Sequence, residues 1–215
     1  MQFTDRADAG RLLANSLLDY RNLPDVLVLA LPRGGVPVAF EVAKALGAPL
    51  DVFVVRKLGV PGHPELAMGA IAGSIQVLSD DLIGHLGIPP KVVDKIAAAE
   101  RIELARREHL FRGDRPAPII EHRIVILVDD GLATGSTMEA AVAALKAARP
   151  ARVVVAVPVG SREACDRLRR LVDRLVCLST PEPFTAVGLW YARFEQTSDE
   201  EVKRLLTEAA RPLQP

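Results

Sequence analysis

The chain has 215 residues, 49% of them hydrophobic and only 4% aromatic, and its 27 lysines and arginines are matched by 27 acids. That size and make-up suit a single unit over residues 1–215 with an aliphatic core, and they exclude a disordered chain. The even charge balance excludes the broad basic face of a nucleic-acid binder, and no run of about 18 apolar residues predicts a membrane span.

Taken in chain order, short runs rich in Val, Leu and Ile recur at Asp25–Leu31, Leu50–Val55, Arg123–Val128, Arg152–Val157 and Arg174–Leu178. Each is nearly continuous rather than alternating, which predicts strands buried on both faces and hence a parallel sheet. Helical spacing fills the gaps: Val36, Ala39, Phe40, Ala43 and Leu46; then Met138, Ala141, Val142 and Leu145; then Ala164, Cys165, Leu168, Leu171 and Val172. The alternation predicts an α/β fold with an open, mostly parallel sheet and helices on both faces. Other segments depart from it. Gly59–Glu65 reads as an irregular Gly- and Pro-rich loop, a candidate lid. Met68–Ala72 and Ile75–Ser79 read as a hairpin, and Pro89–Arg112 as one long helix with a solvated, charged second half. Past Pro181 and Pro183 the tail is irregular until Ser198-Asp-Glu-Glu201, a capping box that starts a final helix. Cys165 and Cys177 sit in apolar patterns without metal or disulfide spacing, which predicts small buried hydrophobes in a reducing compartment. With early acids in Met1–Asp8 in place of a leader pattern, the expected location is the cytoplasm.

The stretch that carries chemistry is Arg123–Thr137, followed by a helix from Met138. A buried strand ends in two adjacent acids, Asp129 and Asp130, and a loop with Gly131, Ala133, Thr134, Gly135, Ser136 and Thr137 follows. Glycines let a ligand approach main-chain N–H groups, and a helix N-terminus favours an anion. Carboxylates repel phosphate but accept hydrogen bonds from sugar hydroxyls. Phosphate donors at one end and hydroxyl acceptors at the other fit a ribose 5′-phosphate. A Walker A loop is excluded because Ser136, not lysine, follows Gly135, and the dinucleotide fingerprint lacks its third glycine.

Val128-Asp-Asp-Gly-Leu-Ala-Thr-Gly-Ser-Thr137 closely resembles the phosphoribosyl-diphosphate motif of the type I phosphoribosyltransferase family. The resemblance covers residues 25–180 and leaves a small hood to the chain ends, 1–24 and 181–215. It implies that Asp129 and Asp130 hold the ribose hydroxyls and that Ala133–Thr137 wrap the 5′-phosphate. Leu31-Pro-Arg-Gly-Gly-Val-Pro37 resembles the family's diphosphate loop, with Gly34 and Gly35 admitting the ligand and Arg33 contacting the leaving group. Arg56 and Lys57 resemble the entry to its mobile loop and would neutralise diphosphate. His63 and Glu65 are candidate lid or acceptor contacts. Phe184, Trp190 and Tyr191 are rings that either stack on a planar acceptor or pin the tail to the core. The chain departs from the family at Ala133, where members acting on hypoxanthine or guanine carry an acid.

What the resemblance implies is Mg²⁺-dependent transfer of a phosphoribosyl group from phosphoribosyl diphosphate to a nitrogen acceptor, in a homodimer. Asp129, Asp130, Lys57 and Arg33 would be the catalytic set. Mg²⁺ would arrive through the ligand's oxygens near Asp129 and Asp130, without a protein cage. A regulator that senses phosphoribosyl diphosphate and a hydrolase of a phosphorylated ribose compound are the alternatives. Arg33 and Lys57 lean against the first, and no serine elbow or histidine pair supports the second. Neither nucleic acid nor membrane is expected as a partner.

Overall fold

Where the sequence is continuously aliphatic the chain extends, and where apolar residues recur every three or four positions it coils. The computed structural model describes residues 2–211. Its first half runs α1 (Arg6–Asn15), β1 (Val26–Ala30), α2 (Gly35–Leu46), β2 (Leu50–Val52), β3 (Arg56–Val60), β4 (His63–Ala72) and β5 (Ile75–Leu78). It continues through α3 (Asp80–His85), α4 (Pro90–Arg112), β6 (Ile124–Val128), α5 (Ser136–Ala147), β7 (Arg152–Val159), α6 (Arg162–Arg169), β8 (Arg174–Ser179) and α7 (Asp199–Ala209).

A five-stranded sheet in the order β2-β1-β6-β7-β8 is parallel throughout. Its strands are apolar on both faces because each face has its own core. Val26, Val28, Ala30, Ile126, Val128, Val154 and Ala156 meet α2, α4 and α7 on one side. Leu27, Leu29, Val125, Leu127, Val153, Val155 and Val157 meet α5 and α6 on the other. This is the expected open α/β sheet. No helix among the described residues is long and apolar enough to cross a membrane.

Residues 56–78 form an arm in which the expected hairpin of Met68–Ala72 with Ile75–Ser79 is present as β4 and β5, while the segment before it departs from the sequence expectation. Arg56 and Lys57 do not end the second strand of the main sheet; they open β3, which with β4 and β5 forms a separate antiparallel sheet. Gly59–Glu65 is accordingly no irregular lid. Val60 pairs with His63 across a turn at Pro61-Gly62, and register shifts around Gly59 take up the irregularity. The arm packs on α4 and α5. Cys165 and Cys177 are both free thiols, and they are not merely separate apolar fillers. They meet beside Gly160, where a Cβ would lie 2.9 Å from one sulfur and 3.6 Å from the other.

Of the expected hood, the N-terminal segment and residues 184–194 meet beside the sheet, whereas α7 of the tail packs into the main core. Phe3 N–H donates to the Trp190 carbonyl at 2.8 Å and Ala192 N–H to the Phe3 carbonyl at 2.8 Å, while Phe3 and Tyr191 pack with Ala9 and Val159. Leu127, fully buried in the central strand, tests the core: Leu127→Ala is expected to lower the unfolding free energy by about 2–5 kcal/mol. Denaturant titration checks this, and an unchanged midpoint would show that the sheet is not packed as described.

Candidate functional site

β1 and β6 are neighbours, yet the chain leaves β1 for a helix on one face and β6 for a helix on the other. A crevice opens at the carboxyl ends of strands wherever the winding reverses in this way. Two loops face each other there, Leu31–Gly34 after β1 and Asp129–Gly135 after β6. Leu31 N–H extends the strand pairing by donating to the Val128 carbonyl at 2.9 Å. The first loop then lies directly on the acids. A Cβ on Gly34 would sit 2.0 Å from Asp130 Oδ2, and one on Gly35 would sit 2.7 Å from the Val128 carbonyl oxygen. Only glycine permits that approach. The two loops singled out in the sequence are therefore in contact.

Asp129 Oδ1 accepts the N–H of Asp130 at 2.8 Å. Burial, and secondarily the neighbouring Asp130 charge, push the Asp129 carboxyl well above the usual carboxylate range. Burial also raises Asp130, but the Arg6 guanidinium opposes it. Arg6 comes from α1 in the hood. Its Nε donates to Asp130 Oδ2 at 2.8 Å, its Nη1 to the Glu195 carbonyl at 2.7 Å, and its guanidinium lies 3.8 Å from the centre of the Phe194 ring. Tyr191 donates its hydroxyl to the Asp130 carbonyl at 2.6 Å and stacks between Phe3 and Phe194, so its ring pins the tail to the core. Sequence reasoning missed Arg6, since a lone arginine near the N-terminus carries no pattern linking it to residue 130.

Past the acids, Gly131 packs on Val187 of the hood. Gly135 caps α5 at φ +77°, a left-handed conformation suited to glycine, with Ala164 3.1 Å from where its Cβ would be. Thr134 and Ser136 hydroxyls lie 3.2 Å apart, and Thr137 is exposed in the first turn of α5. Ala133 is also exposed. The hydroxyls and helix-end amides thus share one rim with the acids.

Other candidates are placed differently. Arg33 reaches toward Asp199 at 3.5 Å and lines a cavity of about 330 Å³ with Arg106, Arg107, Leu110 and Phe111. Arg56 is bound to Glu100 of α4 at 2.6 Å, and Lys57 is opposite Ala70 in the arm. His63 lies in an apolar groove with Val60, Leu66, Leu86 and Ile88, which none of the motif loop lines. The Glu65 side chain lies outside the described residues. Trp190 Nε1 is buried without a hydrogen-bond partner among the described residues.

The acid pair makes the site costly to the fold. Folded Asp129 keeps its proton to higher pH than the unfolded chain, so the group opposes folding increasingly as pH rises from its ordinary value of 3.8 toward its folded one. Asp129→Asn is expected to raise Tm at neutral pH, with the advantage vanishing as pH falls toward about 4. Thermal scans across that range check it, and a Tm lowered at neutral pH would contradict the burial argument.

Known proteins share this sequence pattern and fold. The model of the phosphoribosyl transferase domain family matches residues 2–189. A Mycobacterium tuberculosis protein provisionally named a phosphoribosyl transferase is 49% identical over 210 residues, covering 97% of this chain. The chain spans about half the length of the curated relatives it matches, 47%. The crystal structure of TT1426 from Thermus thermophilus superposes with a TM-score of 0.89 at 45% identity, covering 98% of this chain and all of that one (100%). A hypoxanthine phosphoribosyltransferase from Staphylococcus aureus shares the fold at 11% identity, with a TM-score of 0.50 over 93% of this chain and 91% of that one. By its match over most of its length, the chain belongs to the phosphoribosyl transferase domain family.

Proposed function

We propose that the chain transfers a phosphoribosyl group from phosphoribosyl diphosphate to a nitrogen acceptor. The observation that carries this reading is the contact between Gly34 and Asp130, which puts the loop after β1 and the acid-and-hydroxyl loop after β6 around one crevice. In the reaction the bond from the anomeric carbon to diphosphate breaks with its electron pair, a bond to nitrogen forms, and the acceptor gives up a proton. Asp129 and Asp130 accept hydrogen bonds from the ribose hydroxyls, and residues 133–137 hold the 5′-phosphate. Arg33 and Lys57 offset charge on the leaving diphosphate, and Arg106 and Arg107 lie in the same cavity as Arg33.

The chemistry fits magnesium brought in on the substrate. Asp130 Oδ2 is engaged by Arg6, so the ligand's own oxygens would hold the ion beside the acid pair. When bound, Mg²⁺ neutralises the diphosphate oxygens. The hood closes the crevice from the side of α1 and the tail, and the acceptor reaches the anomeric carbon beneath it.

Calorimetric titration with phosphoribosyl diphosphate and Mg²⁺ tests the reading. Wild type is expected to bind, and Asp129→Asn/Asp130→Asn to weaken binding at least about a hundredfold, as losing two charge-assisted hydrogen bonds requires. Diphosphate release in a screen of nitrogen bases then gives the acceptor. A folded wild type that binds no phosphoribosyl diphosphate would overturn the proposal.

A further inference from the structure

Backbone donors serve a phosphate only if they all face it, and the motif residues alone do not arrange this. Leu132 forms an isolated parallel bridge with Gly160, just past β7. Its N–H donates to the Val159 carbonyl at 2.9 Å, and its own carbonyl accepts the Ser161 N–H at 2.9 Å. The next carbonyl, of Ala133, accepts the Ser161 hydroxyl at 2.7 Å. The one after, of Thr134, accepts from Nη2 of Arg167. Three successive carbonyls are therefore held on the side of α6.

These peptides are trans, because the cis bonds of the described residues lie elsewhere. In a planar trans peptide the carbonyl and the following N–H point in opposite directions. The amides of Ala133, Thr134 and Gly135 are consequently turned together away from α6. Among the described residues they donate to no protein acceptor. Unpaired backbone donors turned to one side form an anion-binding concavity.

Both holding groups are themselves fixed. Ser161 caps α6, accepting the Ala164 N–H at 3.2 Å while it donates to Ala133. Arg167 donates to Glu139 of α5 at 2.9 Å and to Glu163 at 2.7 Å. Its charge is thus balanced locally by two carboxylates, and Nη2 donates to the Thr134 carbonyl.

We propose that Ser161 and Arg167 are positioning residues. By holding the Ala133 and Thr134 carbonyls against α6, they aim the amides of residues 133–135 at the 5′-phosphate of a phosphoribosyl ligand. The inference rests on the phosphoribosyl reading above and adds two residues outside the motif to it. Neither touches the ligand; both act through the loop.

The test titrates wild type, Arg167→Met, Arg167→Lys and Ser161→Ala with ribose 5-phosphate and, separately, with diphosphate. Amide NMR signals of residues 133–135 are followed in parallel. Wild type is expected to show downfield shifts of these amides with ribose 5-phosphate. Arg167→Met is expected to bind that ligand about tenfold more weakly with the shifts lost, to keep its affinity for diphosphate, and to be partly rescued as Arg167→Lys. Unchanged affinity for ribose 5-phosphate in folded Arg167→Met would overturn the inference and leave the phosphoribosyl reading standing. Equal weakening toward diphosphate would mark a general loosening and also overturn it. A wild type that takes up no ribose 5-phosphate would overturn both. Should Arg167→Met fail to fold, Ser161→Ala, which removes the Ala133 tie, is judged by the same outcomes.

Discussion

The parallel pairing of β1 with β6 is the constraint on which the site depends. Register runs from Val26 opposite Ile124 to Ala30 opposite Val128, and Leu31 carries it one hydrogen bond further. Both strands are buried on both faces, so a slip of one residue would exchange the side chains of the two cores. That registration sets Gly34 on Asp130. Because the two helices that follow leave to opposite faces, the crevice above stays open between them.

Against this frame the acids are an expense to stability that the surroundings partly offset. Asp129 and Asp130 are neighbours recessed at a strand end, a placement that disfavours ionisation of both. Arg6 supplies the compensating charge and is held by Phe194 and the Glu195 carbonyl, so the hood is electrostatically part of the site as well as its roof. Tyr191 adds a hydrogen bond to the backbone of the same acid. Functional sites break a local rule of this kind and are compensated elsewhere in the fold.

The loop after Asp130 shows a division of labour between neighbouring sequence and distant sequence. Residues 131–137 contain the donors, but Ser161 and Arg167 of the next βα unit set their direction. Arg167 also bridges α5 and α6 through Glu139 and Glu163, tying the loop to the helix it leads into. Rigid orientation of donors before a ligand arrives avoids reorganisation when it binds.

The parallel strands, the helices between them and the motif loop were legible in the sequence because each rests on local regularities: continuous β-branched runs, helical spacing, and acids beside Gly-rich turns. The arm was legible in its second hairpin, Met68–Ala72 with Ile75–Ser79, but not in its first. Gly59, Pro61 and Pro64 read as loop residues, whereas antiparallel strands accommodate them at a turn and through register shifts that only the partner strand reveals. The aromatic tail was legible as a cluster but not in its role, which the stacking of Tyr191 on Phe3 and Phe194 decided. The chain's own order of residues therefore determined the fold class and where the acid pair and the Gly- and hydroxyl-rich loop lie. Tertiary structure alone decided that Arg6 meets Asp130 across 124 positions and that Arg167 meets Thr134 across 33. Such pairings arise from packing of elements far apart in the chain, and no local pattern encodes them.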